Sequence, residues 1–109
     1  MSSPLVPAGG VIRVSRAAFD PGRFAEVERM LRGTEAYLSP AIRGLGGLLG
    51  YYAGASSEGS VVAVSLWDSN AHADQMGSLT QMTVDARRDA QTAGVSVPAI
   101  VNYRLAWQI

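Results

Sequence analysis

The segment VVAVSLWDSNAHADQM, residues 61–76, changes abruptly from a strand pattern into a helix start. Apolar and β-branched residues dominate the run from Ser60 to Trp67, which predicts a strand. Asp68 and Ser69 follow at once, and either side chain can accept hydrogen bonds from the free backbone N–H groups of a helix. We therefore predict a strand over 60–67 and a helix that runs from this cap to about residue 93, before Gly94.

This predicted strand is apolar on both of its faces. Side chains alternate along a strand, so one face carries Val61, Ala63 and Trp67 and the other carries Val62, Val64 and Leu66. If helices cover only one side of the sheet, the other side is an exposed apolar surface, which calls for a partner. We therefore expect a homodimer in which two sheets meet face to face.

The N-terminal half predicts one strand and one helix. VIRVSR, residues 11–16, reads as a strand, and Asp20-Pro21 is typical of a helix start. An apolar stripe at helical spacing supports a first helix over 21–32. Gly33 and Pro40 predict that its continuation to about residue 43 is broken or tilted.

The remaining segments complete an alternating order of strands and helices. A glycine-rich apolar run predicts a second strand at 48–54, and residues 56–59 form a turn to the strand at 60–67. The last strand is expected from Ala99 to Gln108, with Asn102 and Arg104 on one face and Val101 and Tyr103 on the other. The order β-α-β-β-α-β predicts a ferredoxin-like α+β domain with a four-stranded antiparallel sheet and both helices on one face. We assign residues 1–9 to a flexible arm and 10–109 to this single domain.

The composition excludes several classes of function. Nine basic residues balance nine acidic ones, so net charge gives no support to a nucleic-acid or anionic-membrane partner. The chain has no cysteine, and with one histidine it offers no multi-histidine metal site. Lysine is absent, which excludes Schiff-base chemistry on a side-chain amine. No apolar run has the length of a membrane span and the N-terminus is unlike a signal peptide, so a cytoplasmic protein is expected.

Three stretches together resemble a known superfamily: GLLGYYAG at 47–54, VVAVSLWDSNAHADQM at 61–76 and PAIVNYRLAWQI at 98–109. With the β-α-β-β-α-β order they are similar to the dimeric α+β barrels, and within these to antibiotic biosynthesis monooxygenases. The most specific element is Leu66-Trp67-Asp68-Ser69, a strand that ends in Trp before a helix start. The resemblance implies a homodimer and cofactor-free oxidation of an aromatic or polyketide-like molecule.

The resemblance transfers unevenly to individual residues. Trp67 matches the strand-end Trp of the cofactor-free anthrone oxygenases, and Arg87 matches a helical Arg. Ala63 and Ala73 stand where those enzymes have Asn and Tyr, so part of their site is missing. Met76 occupies the position of the helical Trp of the haem-degrading members, which argues against haem degradation.

Other candidate site residues follow from strand geometry. Arg13 and Arg104 lie on neighbouring strands and would bind an anionic or phenolate group if their face is the helix-covered one. Tyr51 and Tyr52 point to opposite faces, so at most one lines a given cavity. Together with Trp67 and Arg87, which the resemblance supplies, the candidate catalytic residues are Asn102 and His72, the last as the only near-neutral base. The candidate substrate-binding residues are Tyr51, Tyr52, Arg13, Arg104 and Met76.

Two functions remain open from sequence, and a third, haem binding, has only the resemblance in fold in its favour. One is a monooxygenase that needs neither metal nor other cofactor, in which Trp67 forms a pocket wall and Arg87, Asn102 and a tyrosine hold a phenolate. The other is a non-catalytic small-molecule-binding or structural protein with the same pocket, which the incomplete set of family residues favours.

Overall fold

A computed structural model describes residues 6–109, apart from the side chains of residues 80–82. Four strands form one antiparallel sheet: β1 (Val11–Ala18), β2 (Leu48–Ser56), β3 (Ser60–Trp67) and β4 (Ala99–Arg104), in the order β2-β3-β1-β4. The helices are α1 (Phe24–Arg43), α2 (Asn70–Ala73) and α3 (Thr80–Thr92). Short 3-10 helices lie at Pro21–Arg23 and Asp74–Ser78. The predicted ferredoxin-like α+β class is confirmed.

The sheet register separates the side chains into two faces. In the central rows Arg13 lies beside Ser65 and Asn102, and Ser15 lies beside Ala63. These odd-numbered positions of β1 face the helices. The intervening row of Val14, Val64 and Val101 points to the opposite side, which no helix of the described chain covers.

Local sequence signals set the starts of the first two helical segments as predicted. The Asp20 carboxylate accepts from the Gly22 N–H at 2.9 Å, with Pro21 in the first helical position. The Ser69 hydroxyl accepts from the His72 N–H at 3.2 Å and caps α2. The β2–β3 hairpin turns at Gly59, whose φ of 100° is costly for any residue with a Cβ.

The predicted break in the first helix is wrong. α1 continues through Gly33 and Pro40 to Arg43. Thr34 and Ile42 are buried on this helix, and Thr34 donates its hydroxyl to the Leu31 carbonyl at 2.7 Å. Packing of the second half of α1 therefore offsets the low helix propensity of Gly33 and Pro40.

The prediction of one continuous second helix up to residue 93 is also wrong, because the segment divides into α2, a 3-10 turn and α3. Leu79, at the junction, has a non-helical ψ of 68°. Gln75 donates its amide to the carbonyls of Gly46 and His72, and Ser78 donates to the Gln75 carbonyl. Such side-chain bonds compete with the regular helix ladder. Gly77, a weak helix former, lies in the same stretch.

The last strand is shorter than predicted and ends at Arg104, not Gln108. Arg104 is the partner of Val11, the first residue of β1. The following segment therefore has no strand beside it, although Leu105 still donates its N–H to the Gly10 carbonyl at 2.9 Å.

Residues 1–5 of the predicted arm lie outside the described part of the chain. Just after them, Val6 is buried and exchanges two hydrogen bonds with the Gln108 side chain. The beginning and end of the described domain are therefore joined.

Two apolar clusters lie between the sheet and the helices, one at each end of the covered face. The first contains Phe19, Val27, Ala93 and Val95. The second contains Val11, Trp67 and Ala73. Two hydrogen bonds connect the first helical region with α3. The Tyr37 hydroxyl of α1 donates to Asp89 at 2.5 Å. Arg23, just before α1, donates to the Thr92 carbonyl at 3.1 Å. Burial and the Asp89 hydrogen bond raise the pKa of Tyr37 well above its usual range, so its phenol remains a donor.

Candidate functional site

A cleft of about 490 Å³ separates the covered sheet face from helices α1 and α3. It lies between the two apolar clusters and has the size typical of small-molecule sites. The space exists because Ser15, Ala17 and Ala63 are small residues on adjacent strands. Met30 and Leu31 line it from α1, and Met76 lines it from the 3-10 helix at Asp74–Ser78.

Arg13 supplies a positive charge from the floor of the cleft. Its guanidinium donates to the Asn102 side-chain oxygen at 3.1 Å. The amide nitrogen of Asn102 in turn donates to Asn70 and to the Asp74 carboxylate, both at 3.1 Å. Asn70 also contacts Asp74 at 3.4 Å. This chain of side chains fixes the orientation of Arg13 from the last strand and the start of α2.

Tyr51 reaches the cleft from β2, opposite Ser65 of β3. Burial raises the pKa of the Tyr51 phenol, and the nearby Arg13 charge partly opposes that rise. At neutral pH Tyr51 is therefore a neutral hydrogen-bond donor beside a guanidinium. Its neighbour Tyr52 is 57% exposed on the other side of the sheet, as strand alternation predicts.

Arg87 lines the cleft from α3, and its side chain reaches solvent. Its neighbour Arg88 is absent from the lining and instead pairs with Asp85 at 3.4 Å and Asp89 at 3.7 Å. The two adjacent arginines thus differ in environment, and only Arg87 faces the cleft.

Trp67 lies at the end of the cleft but not in its lining. It is 0% exposed, and its indole N–H donates to the Ser65 hydroxyl at 2.8 Å. Met76 contacts the Trp67 cluster and also lines the cleft. Trp67 is therefore separated from the cleft space by the residues packed on it.

His72 lies away from the cleft, beside the loop that precedes β2. Its Nδ1 lies 2.5 Å from an Asp68 carboxylate oxygen, and both side chains are partly exposed. The hydrogen bond from His72 lowers the pKa of Asp68 below its usual range. Gly47 adopts a φ of 78°, and a Cβ there would lie 2.2 Å from His72 Nδ1. Glycine is therefore required at position 47, where the loop passes close to the Asp68–His72 pair.

The structure brings together Arg13, Tyr51, Met76 and Arg87 around one space, with Asn102 behind Arg13. It does not bring Trp67, His72, Tyr52 or Arg104 into that lining. Arg104 is exposed and lies opposite Val11. It shares the covered face with Arg13, but two residues further along the strand.

Sequence reasoning missed Asn70 and Asp74, which brace Asn102. Their spacing of four residues at a helix start could have indicated a shared helix face. Nothing local in the sequence indicates that Asn102 reaches them, because the contacts span 32 and 28 positions.

Within the described residues, no group of three or more His, Cys, Asp or Glu side chains is arranged to hold a metal ion. Among the helices described, none is long and apolar enough to cross a membrane. A second depression of about 590 Å³ lies between α1 and β2 and carries charged residues on its rim, including Glu28, Arg32 and Glu35.

Solved structures with the same fold include named monooxygenases. A monooxygenase from the gene ActVA-Orf6 of Streptomyces coelicolor, in complex with the ligand nanaomycin D, has a TM-score of 0.72 and 19% identity, covering 92% of this chain and 90% of that chain. SnoaB, a cofactor-independent oxygenase from Streptomyces nogalater, has a TM-score of 0.64 and 16% identity, covering 94% and 98%. Rv0793 from Mycobacterium tuberculosis has a TM-score of 0.63 and 17% identity, covering 91% and 97%.

No family model and no curated protein sequence matches the chain. At the identities of the solved neighbours, the likeness shows the fold alone. The resemblance to antibiotic biosynthesis monooxygenase-like proteins is thus confirmed in the fold, which this chain shares with them over nine-tenths of its length.

Proposed function

We propose that this protein oxidises a phenolic aromatic or polyketide-like molecule with O₂ in the cleft between sheet and helices, without a metal or other cofactor. The observation that carries the proposal is a largely apolar cleft of about 490 Å³ whose charged and phenolic groups are Arg13, Tyr51 and Arg87. The shared fold with a cofactor-independent oxygenase supports the same reaction class.

The chemistry asks little of the protein. For an anthrone, loss of a proton gives a phenolate-stabilised carbanion, which transfers electrons to O₂. One oxygen atom becomes the new carbonyl at the former methylene carbon. The other leaves as water with the two methylene hydrogens, so the atoms and electrons balance. The cleft contributes by excluding water and by stabilising the anion through fixed donors.

In this proposal Arg87 and the neutral Tyr51 phenol hold the phenolate, and Arg13 adds charge from the sheet. Guanidinium stabilises a phenolate strongly in a partly desolvated site. Trp67 acts by supporting the end wall through Met76, and Asn102 acts by positioning Arg13. His72 has no role in this proposal, because it lies outside the lining of the cleft.

The test is incubation with a dihydroxyanthrone in air and under nitrogen, followed by mass spectrometry. We expect an enzyme-dependent product that has gained one oxygen and lost two hydrogens, with the label retained when isotopic O₂ is used. Arg87→Gln should slow turnover by about tenfold or more, because it removes a charged hydrogen bond to the anion. Arg88→Gln is the matched control and should retain the wild-type rate. No oxygen-dependent product across a phenolic panel would contradict the proposal.

A binding function without turnover is the second candidate. Its specific support is that no carboxylate or imidazole lies among the described residues lining the cleft, so the cleft offers no strong protein base there. Saturable binding of the anthrone with no product above the uncatalysed rate would favour this candidate.

We also propose that two copies pair through the uncovered sheet face. Val101 is 45% and Tyr103 52% exposed there, beside the inner rows of β1 and β3. Light scattering should give twice the mass of one 11.5 kDa chain at micromolar concentration. Val64→Arg, in the centre of this face, should shift the mass to that of one chain, while Ala36→Arg on the exposed side of α1 should not. A single-chain mass for the wild type would contradict the pairing.

A further inference from the structure

The charges that line the cleft are all of one sign. Arg13 and Arg87 face it from the sheet and from α3, and none of the described lining residues is acidic. Neither side chain forms an ion pair with a carboxylate in the described part of the chain, whereas Arg23 and Arg32 each form one and Arg88 forms two. A chain whose formal net charge is zero thus places two unneutralised cations around an apolar space.

Arg13 is held without being neutralised. Its partner is the neutral amide of Asn102, and the Asp74 carboxylate is reached only through that amide. One guanidinium nitrogen is thereby occupied, and the fork keeps further N–H donors that no described residue accepts. A guanidinium that is half-buried and lacks a carboxylate is costly in an apolar site. Bound anions are what such a group complements best.

The two arginines lie on different walls of the cleft, Arg13 on the sheet and Arg87 on α3. The phenolate of the proposed reaction lies against Arg87 and the Tyr51 phenol, and Tyr51 shares the sheet row of Ser65 and Arg13. Arg13 then faces the ligand from the sheet, next to Ser15 and the small residue Ala63.

We propose that the cleft selects aromatic ligands that carry a carboxylate, and that Arg13, positioned by Asn102, is the residue that reads this group. The inference rests on the proposed use of the cleft as the binding site, but not on oxidation. The carboxylate accepts two parallel N–H bonds from the guanidinium, and the flat apolar body fills the space beside Ser15 and Ala63.

The test measures binding of two probes of closely similar shape, one anionic and one neutral: an anthraquinone carboxylate and its matched carboxamide. Dissociation constants are obtained by quenching of protein fluorescence or by calorimetry. We expect the wild type to bind the carboxylate about tenfold more tightly or better, the effect of one charge-assisted contact. The preference should shrink as salt is added, because screening weakens an accessible ion pair.

Variants assign that preference to Arg13. Arg13→Gln should remove it, so that the carboxylate and the carboxamide bind with similar dissociation constants, while Gln keeps an N–H donor for Asn102. Arg13→Lys should retain part of it. The matched control is Arg16→Gln, on the same strand but on the other face, which should leave the preference intact. A thermal unfolding scan of each variant confirms that it is folded.

Three results would overturn the inference: equal affinity of the wild type for both probes, an unchanged preference in Arg13→Gln, or binding of neither probe up to its solubility limit. The proposal that the protein oxidises its ligand is tested independently of this inference. A clear carboxylate preference with no oxygen-dependent product leaves the inference standing, and turnover of neutral substrates without any preference removes the inference alone.

Discussion

The covered face of the sheet is packed at the end near Trp67 and open in the middle, although the same strands form both regions. At the packed end the indole, Val11 and Ala73 exclude solvent completely or nearly so. Four residues away along each central strand, at Ser15 and Ala63, the side chains are small, and a cleft of about 490 Å³ remains. Stability and ligand binding are therefore expected to depend on different residues of one continuous layer.

The difference also shows where polar groups are tolerated. At the packed end the one polar contact of the indole is fully paired, with Ser65 accepting from Trp67 at 2.8 Å. In the open middle Arg13 has a neutral partner and keeps unused donors. A buried polar group without partners is costly, so the unpaired donors are retained where a ligand or water reaches them.

The largest expected effect comes from emptying the packed end. Trp67→Ala should lower the free energy of unfolding by about 3–5 kcal/mol, because it removes the largest fully buried side chain and leaves a cavity. Chemical denaturation monitored by circular dichroism measures this. The control is Trp107→Ala, since Trp107 is 76% exposed and its loss should change stability by less than about 0.5 kcal/mol. Equal effects of the two changes would contradict the assigned packing.

Filling the open middle of the covered face should reduce ligand affinity and leave stability nearly unchanged. Ala63→Leu places a larger side chain in the cleft, so affinity for the anthraquinone carboxylate should fall by at least about tenfold. The free energy of unfolding should change by less than about 1 kcal/mol, because the added group enters empty space. Ala36→Leu on the exposed side of α1 is the control and should leave affinity unchanged. Unaltered binding to Ala63→Leu would mean that the ligand does not use this space.

Tyr51 and Tyr52 offer a smaller and more local comparison. Tyr51→Phe removes one phenolic donor from the cleft and should weaken phenolate binding or slow turnover by roughly three- to tenfold, the value of one hydrogen bond. Tyr52→Phe, on the other face, should retain wild-type affinity and rate. Steady-state kinetics with the dihydroxyanthrone, or titration with an unreactive analogue, measures both. If Tyr52→Phe lost more affinity or rate than Tyr51→Phe, the ligand would bind on the uncovered face of the sheet, which would contradict the assigned site.

The smallest effect concerns the partly exposed Asp68–His72 pair. The pKa of Asp68 is lowered in the folded protein, so its contribution is present above the unfolded pKa and is lost as the pH falls through the folded one. The melting temperature of the wild type should therefore fall below about pH 4. The melting temperature of Asp68→Asn should fall less over the same pH range. Asp20→Asn, at the other cap, provides the control for a general carboxylate effect. Identical pH profiles for the wild type and Asp68→Asn would show that the pair adds no stability.

Much of the fold follows from local patterns. The strand at 60–67, the caps at Asp20 and Ser69 and the β-α-β-β-α-β order were all readable, because alternation and capping chemistry act between near neighbours. The errors occur where distant contacts compete with propensity. Burial of Thr34 and Ile42 carries α1 past Pro40, and the bond from Gln75 to Gly46 interrupts the second helical segment.

The candidate site was readable only as a set of residue types. Arg13, Tyr51, Met76 and Arg87 were named from strand alternation and from resemblance, and they do meet around one cleft. Asn70 and Asp74 were not named, because their role depends on Asn102 reaching them from the last strand.

By itself the sequence determined the order of strands and helices, the two-faced apolar character of β3, and the identity of the arginines available for binding. Those properties depend on side-chain alternation and backbone caps, which extend over a few residues. Only the tertiary structure decided that Trp67 is packed away, that His72 turns to Asp68, and that Arg13 faces open space with a neutral partner. Those outcomes depend on strand register and on how side chains far apart in the chain divide the volume between sheet and helices.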